Sequence, residues 1–262
     1  MRKPAVMLLL LAALSACSVK EDRSDCPCTL LVDLSALSMP GGRPRTHKES
    51  LTLSIYAPDL VLRRSYELTE QLSAIPVETH RSLLTLSAAL GSGSFAFRDG
   101  ALKINCGEQS DSLYAFCSTI GAYSDTVTVK LRLCKQFSTV SIDIADAADY
   151  SFRIIGNVDG LSLATLEPTE GEFCYDMPKS GNQETHIFRM PRQSDKSISL
   201  QVWDNAFAEL LYEVPLGGYL DAAGYDWDAD NLQDVQLSLD PLGKSVTVTV
   251  LPWEEGRTFE FQ

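Results

Sequence analysis

Polar and apolar residues alternate with period two over most of this chain. Leu51-Thr52-Leu53-Ser54-Ile55-Tyr56, Thr139-Val140-Ser141-Ile142-Asp143-Ile144 and Ser245-Val246-Thr247-Val248-Thr249-Val250 are the cleanest runs. A two-residue period puts alternate side chains on opposite faces of a strand, so each run predicts a half-buried β-strand. Further strands are predicted at Thr29–Leu34, Val61–Tyr66, Leu83–Ser87, Ser94–Phe97, Leu113–Thr119 and Thr126–Leu133. In the last of these, Val127, Val129, Leu131 and Leu133 are expected on one buried face. The second half adds Phe152–Val158, His186–Met190, Ser197–Trp203 and Leu210–Val214.

Turn chemistry separates these runs: Met39-Pro40-Gly41-Gly42-Arg43-Pro44-Arg45, Pro58-Asp59 and Gly91-Ser92-Gly93. Helical spacing is scarce, and Tyr219–Ala223 has room for only a turn or two. Many short strands between turn signals predict an all-β sandwich fold. The length suits two sandwiches of about 110 to 125 residues in tandem. The boundary is expected near Cys134-Lys135-Gln136, which gives 28–136 and 137–262 as the two domains. No change of composition marks a linker there, so the two are expected to abut.

The first residues follow a different pattern. Arg2 and Lys3 precede an apolar run from Ala5 to Leu14, and small residues follow at Ser15-Ala16. That order is a secretory signal peptide, predicted to be residues 1–16. Its apolar run is too short to span a bilayer, which takes roughly 20 residues, and no later run reaches 18. Leu14-Ser15-Ala16-Cys17 resembles the bacterial lipobox, which implies a lipid on Cys17 and a lipidated linker over 17–27. Several acyl chains would hold far better than one, since each buried CH₂ contributes about 0.8 kcal/mol.

The formal net charge is −13, and loss of the leader with Arg2 and Lys3 makes it more negative still. So acidic a chain is poorly suited to nucleic acid. The 45% apolar content belongs to a chain with a packed core.

Seven cysteines stand at 17, 26, 28, 106, 117, 134 and 174. With Cys17 lipidated, six remain in an oxidising compartment, and their fifteen possible pairings cannot be ranked from sequence. Cys26 and Cys28 are too close in the chain to bridge each other without strain. Cys26-Pro27-Cys28 is half a metal site with no second pair at ligand spacing, and His47, His80 and His186 stand alone. No metal or other cofactor is expected.

The residues after Cys17 carry a wider likeness. Glu21-Asp22-Arg23-Ser24-Asp25-Cys26-Pro27 followed by a strand resembles the start of the FimB-like fimbrial anchor lipoproteins of Bacteroidales. The likeness continues in Pro191-Arg192-Gln193-Ser194-Asp195 and in Pro215-Leu216-Gly217-Gly218-Tyr219-Leu220. It extends through Gly224-Tyr225-Asp226-Trp227 and Leu232-Gln233-Asp234-Val235 to Val248-Thr249-Val250-Leu251-Pro252-Trp253. One departure is Gln233, where the family pattern has a proline before the acid.

The resemblance implies two transthyretin-like β-sandwiches and a lipid-anchored, surface-exposed subunit at the base of a fimbria. Such a subunit tethers the polymer to the outer membrane and influences its length. Lys20-Glu21-Asp22 resembles the signal that sends such lipoproteins to the outer face. The expected partner is the fimbrial stalk subunit, docked by addition of a strand to a sheet edge. The C-terminal region is the candidate. Val246, Val248 and Val250 form an apolar row, and Thr258-Phe259-Glu260-Phe261 alternates again after a turn. That tail either completes its own sheet or is donated to a neighbour. Its reach of about 15 Å favours its own sheet.

Other motifs weigh less. Arg192-Gln193 is expected to tie a loop to backbone carbonyls. Asp226-Trp227-Asp228-Ala229-Asp230-Asn231 has alternate acids, but Asn231 sits where an EF-hand needs Gly and Leu237 where it needs Glu. No nucleophile elbow, zincin helix or phosphate loop appears, so an enzyme, including a secreted hydrolase, is not expected. The alternative function is a surface glycan-binding lipoprotein with Trp203, Trp227 and Trp253 as platforms.

Overall fold

In the computed structural model the described residues are 26–35, 37, 50–58, 60–69, 71–91, 93, 95–145, 149–178, 184–206, 208–240 and 245–252. The leader, Cys17, Lys20, Glu21, Asp22, Trp253 and the tail Thr258–Phe261 lie outside them. The fold is all-β.

The first half contains β1 (Pro27–Asp33), β2 (Ser50–Ala57), β3 (Leu60–Glu67), β4 (Ala74–His80) and β5 (Leu83–Leu90), then a short pair, β6 (Ala96–Arg98) and β7 (Ala101–Lys103). It continues with β8 (Tyr114–Gly121), β9 (Thr126–Lys130) and β10 (Cys134–Lys135). The second half contains β11 (Phe137–Ile144), β12 (Tyr150–Ser162), β13 (Pro168–Asp176), β14 (Glu184–Pro191), β15 (Ser199–Asp204) and β16 (Glu209–Val214). A short helix, α1 (Leu216–Ala222), precedes β17 (Asp234–Asp240) and β18 (Ser245–Leu251).

The pairing pattern is repeated. In the first sandwich β1 pairs antiparallel with β4 and parallel with β9, while β3-β2-β5-β8 form an antiparallel sheet that β10 extends. In the second, β11 pairs antiparallel with β14 and parallel with β17, and β13-β12-β15-β16 are antiparallel. Seven strands thus match one for one in order, partner and direction. Each sandwich buries the inward residues of its two sheets, as alternation requires. Leu30, Val32, Leu53, Ile55, Val77 and Leu86 lie in the first core; Ile142, Ile154, Phe188, Leu200, Val202 and Leu237 lie in the second.

Two features break the repeat. β18 adds an edge strand to the second sandwich, pairing with β17 from Asp240↔Ser245 to Asp234↔Leu251. The β6–β7 pair leaves the first half and joins the second, because β7 pairs with the far end of β12 at Gly160, Leu161 and Ser162. A small third cluster, including Leu102, Leu113, Ala115, Leu161 and Leu163, is buried where the halves meet.

The run Thr126–Leu133 stops being a strand at Lys130. Val127 and Val129 are only half-buried, and Leu131 beyond them is fully buried. As an edge strand, β9 has a neighbour on one side only and is covered less than a central strand.

Candidate functional site

Two kinds of surface bear on function: the free sheet edges and the polar junction between the sandwiches. The edges differ in chemistry. A free edge presents unpaired N–H and C=O groups, and proteins blunt it with charge, proline or interruption. β3 carries Arg63 and Arg64, β4 carries Pro76 and Glu78, β9 ends in Lys130, and β10 is only two residues long. β13 carries Gly171 between two glutamates, β14 has Arg189 and Pro191, and β16 has Glu209 and Glu213. β6 ends in Arg98. β18 reads Ser-Val-Thr-Val-Thr-Val-Leu, with no charge, proline or glycine. It is the one unguarded edge among the described strands. Val246, Val248 and Val250 pack against the second core, which leaves Thr247 and Thr249 on the exposed face.

The junction is built around Lys135, Arg192 and Asp234. Lys135 is 1% exposed; its Nζ donates to Asp234 Oδ1 at 2.5 Å and to the Leu232 carbonyl at 3.2 Å. Asp234 Oδ1 also accepts the Thr139 amide at 2.6 Å, and the Lys135 amide donates to Asn231 Oδ1 at 2.8 Å. Burial pulls the Lys135 ammonium below its ordinary range, and Asp234 opposes that pull.

Arg192 sits just past β14. Its Nη1 donates to the Trp227 carbonyl at 3.0 Å, its Nη2 to the Ala229 carbonyl at 2.7 Å, and its Nε to Gln136 Oε1 at 2.9 Å. The guanidinium therefore clamps the 226–231 loop by its backbone, the role expected for it. Asp226 serves a turn, its Oδ1 accepting the Asp228 amide at 3.0 Å. Tyr225 beneath it is buried, stacks edge-on against Trp227 at 4.7 Å, and bonds Ser138 Oγ at 2.5 Å. Burial pushes its phenol up to about 12, with the Ser138 bond and Arg192 pulling the other way.

The junction leaves a cleft of about 490 Å³ bounded by Arg132, Cys134, Arg192, Trp227 and Asp230. Two free thiols, Cys117 and Cys134, line it, and burial raises both. None of the fifteen complete pairings of the six cysteines is formed: Cys106 bonds Cys174, and Cys26, Cys28, Cys117 and Cys134 are thiols. Among the described residues no three His, Cys, Asp or Glu side chains cluster as metal ligands would, and no helix is long and apolar enough to cross a membrane.

The tryptophans expected as platforms separate. Trp227 is a packing anchor whose indole N–H is buried. Trp203 lines a second cleft at the end of the larger sheet of the second sandwich. Sequence reasoning did not foresee the β18 contrast, although the absence of charge in Ser245–Leu251 carries it.

No protein-family model matches this sequence, and no curated protein matches it. In structure it is similar to the fimbrial anchor protein Mfa2 of Porphyromonas gingivalis, with a TM-score of 0.59 at 10% identity over 87% of this chain and 98% of that one. A candidate adhesin of Bacteroides ovatus gives 0.60 at 10% identity, over 86% and 94% of the two chains. A second, from Bacteroides thetaiotaomicron, gives 0.55 at 15% identity, over 84% and 95%. At such identities the likeness is one of fold, an all-β sandwich architecture.

Proposed function

We propose that this chain is a non-enzymatic, lipid-anchored structural subunit at the base of a surface fimbria. In this reading residues 1–16 are removed and Cys17 carries the lipid. Lys20, Glu21 and Asp22 direct the protein to the outer face of the outer membrane, and two sandwiches, 28–136 and 137–262, stand above the tether. The stalk subunit docks by adding a strand along β18 and so fixes where the polymer starts, which is how the anchor influences length. The structural likeness to a fimbrial anchor protein supports the class. The observation that carries the docking mode is the uncharged, seven-residue β18 edge, where the other described edges carry charge, proline or glycine or, as in β10, are only two residues long. Main-chain pairing along such an edge, with side chains in alternate pockets, gives registered assembly.

The test has two arms in cells that make the fimbria. Cys17→Ala should release the protein and its fimbriae into the medium. The double variant Thr247→Lys/Thr249→Lys should fold and stay on the surface, yet co-purify with at least about tenfold less stalk subunit, because edge lysines oppose strand addition. Fimbriae still cell-bound in the first variant, or stalk fully retained in the second, would each refute the corresponding half.

A further inference from the structure

The second cleft, about 460 Å³, opens at the end of the sheet β13-β12-β15-β16, where the outward Ser151, Arg153, Asp176 and Trp203 meet the edges of the buried Phe152 and Met177. That volume lies within the range of about 300–1,000 Å³ that small-molecule sites occupy. Phe152, Ile154, Leu200 and Val202 point into the core, so Ser151, Arg153, Gln201 and Trp203 face outward. Register sets them in two rows. Asp176, Arg153, Gln201 and Glu213 lie across four strands, and Ser151, Trp203 and Leu210 form the adjacent row. Arg153 and Asp176 form a planar fork, Nε to Oδ1 at 2.6 Å and Nη2 to Oδ2 at 3.1 Å. Trp203 is half-buried, and its Nε1 donates to Gln201 Oε1 at 3.3 Å, which fixes the indole plane. Asp204 and Asn205 form the rim; Asp204 Oδ1 accepts the Ala206 amide at 2.7 Å, and Ala208 at the far side of the turn takes a φ of 52°.

We propose that this cleft is a saccharide subsite for a neutral pyranose of a surface or host glycan. A pyranose has an apolar C–H face and a rim of hydroxyls that both donate and accept. The indole offers a rigid apolar face for the first. The fork engages two of the five guanidinium N–H groups, and both carboxylate oxygens can accept more than one bond, so one rigid pair can meet vicinal hydroxyls with donors and acceptors together. Arg153, Asp176 and Asp204 sum to one negative charge in a chain that is itself at −13, which opposes uronates and sulfated sugars. The inference is independent of the anchor reading: a fimbrial base subunit could carry it or lack it.

The test uses the full-length chain and calorimetry with neutral oligosaccharides of glucose, mannose, xylose and N-acetylglucosamine, and heparin as the anionic probe. Tryptophan emission is read in parallel. Binding is expected for at least one neutral oligosaccharide and not for heparin. Trp203→Ala should weaken it at least about tenfold. Trp203→Phe should keep calorimetric binding within about fivefold while removing the emission change. The fork is exposed, so Arg153→Gln and Asp176→Asn will fold; each should weaken binding about fivefold or more. These two carry the test if Trp203→Ala does not fold. No heat with any neutral oligosaccharide up to about 10 mM, where binding would be below the affinity range of a functional site, overturns the proposal. So does binding undiminished in the variants, or binding of heparin alone.

Discussion

At the scale of single residues, the junction concentrates the groups whose loss should matter most. Lys135 and Asp234 are a buried pair, and removing one partner of such a pair strands the other charge, which costs about 3–5 kcal/mol. Asp234→Ala additionally orphans the Thr139 amide. Urea denaturation of Asp234→Ala and of Lys135→Met should each show a loss of that order, with an unchanged slope. A loss below about 1 kcal/mol in both would mean that the pair is spectator to folding. Tyr225 makes a pH prediction. Its phenol ionises near 10.0 when unfolded and near about 12 when folded, so the unfolded state releases its proton first. Stability from this group is intact below pH 10 and falls as pH climbs from 10 toward 12. Comparing the protein with Tyr225→Phe at each pH isolates the group: the variant starts lower by about 1 kcal/mol for the lost Ser138 bond and should lack that decline. Parallel declines in both proteins would contradict the assignment.

At the scale of elements, the short β6–β7 pair is held to the second sandwich by three devices. The Ile104 amide bonds the Asp159 carbonyl at 2.7 Å, Lys103 pairs with Asp159, and Cys106 bonds Cys174 on β13. Gly160 permits the approach, since a Cβ there would collide with the Leu102 carbonyl. The disulfide closes a loop across a separation of 68 residues, for which loop-closure entropy gives about 4 kcal/mol. Cys106→Ala/Cys174→Ala should lose about 2–4 kcal/mol, with faster amide exchange concentrated in 96–109; protection unchanged there would show that the bond is not what holds the pair.

Much of the fold was legible where alternation is clean, as at Leu51–Tyr56 and Ser245–Val250, which are β2 and β18. The rest was not, for local reasons. β4 contains Pro76, tolerable only because the strand is an edge; β7 has three residues; β13 is broken by Gly171, which lies against the Asp159 carboxylate. β17 does alternate through Val235, Leu237 and Leu239, but the motif at Leu232–Val235 masks its start. Of the candidate site, Arg192 and Trp203 could be named from sequence, whereas the forked pair and the edge contrast needed the strand register that only the fold supplies.

At the scale of the whole molecule, the question is whether the sandwiches behave as two bodies or one. On the function proposed above, the chain would carry load from a fimbria to a lipid and should not yield at its waist. The repeated seven-strand pattern argues for two folding units, each with its own core. Against independence stand the crossing of β6–β7, the buried cluster around Leu102, Leu113 and Leu161, and Lys135 at the seam bonded to Asp234 of β17. Gln136 receives from Arg192 and donates its own amide to the Leu113 carbonyl at 2.9 Å, so the connection is bonded on both sides. These contacts favour one cooperative unit. The full chain should unfold in urea in a single transition by both tryptophan emission and circular dichroism. Residues 137–262 expressed alone lose β7, the Cys106 bond and the Lys135 pair together, and should be less stable by at least about 5 kcal/mol, near the whole stability of an ordinary domain. Starting the fragment at residue 95 restores all three and should recover most of that loss. If 137–262 folds with full stability by itself, the seam is a simple abutment of two independent sandwiches.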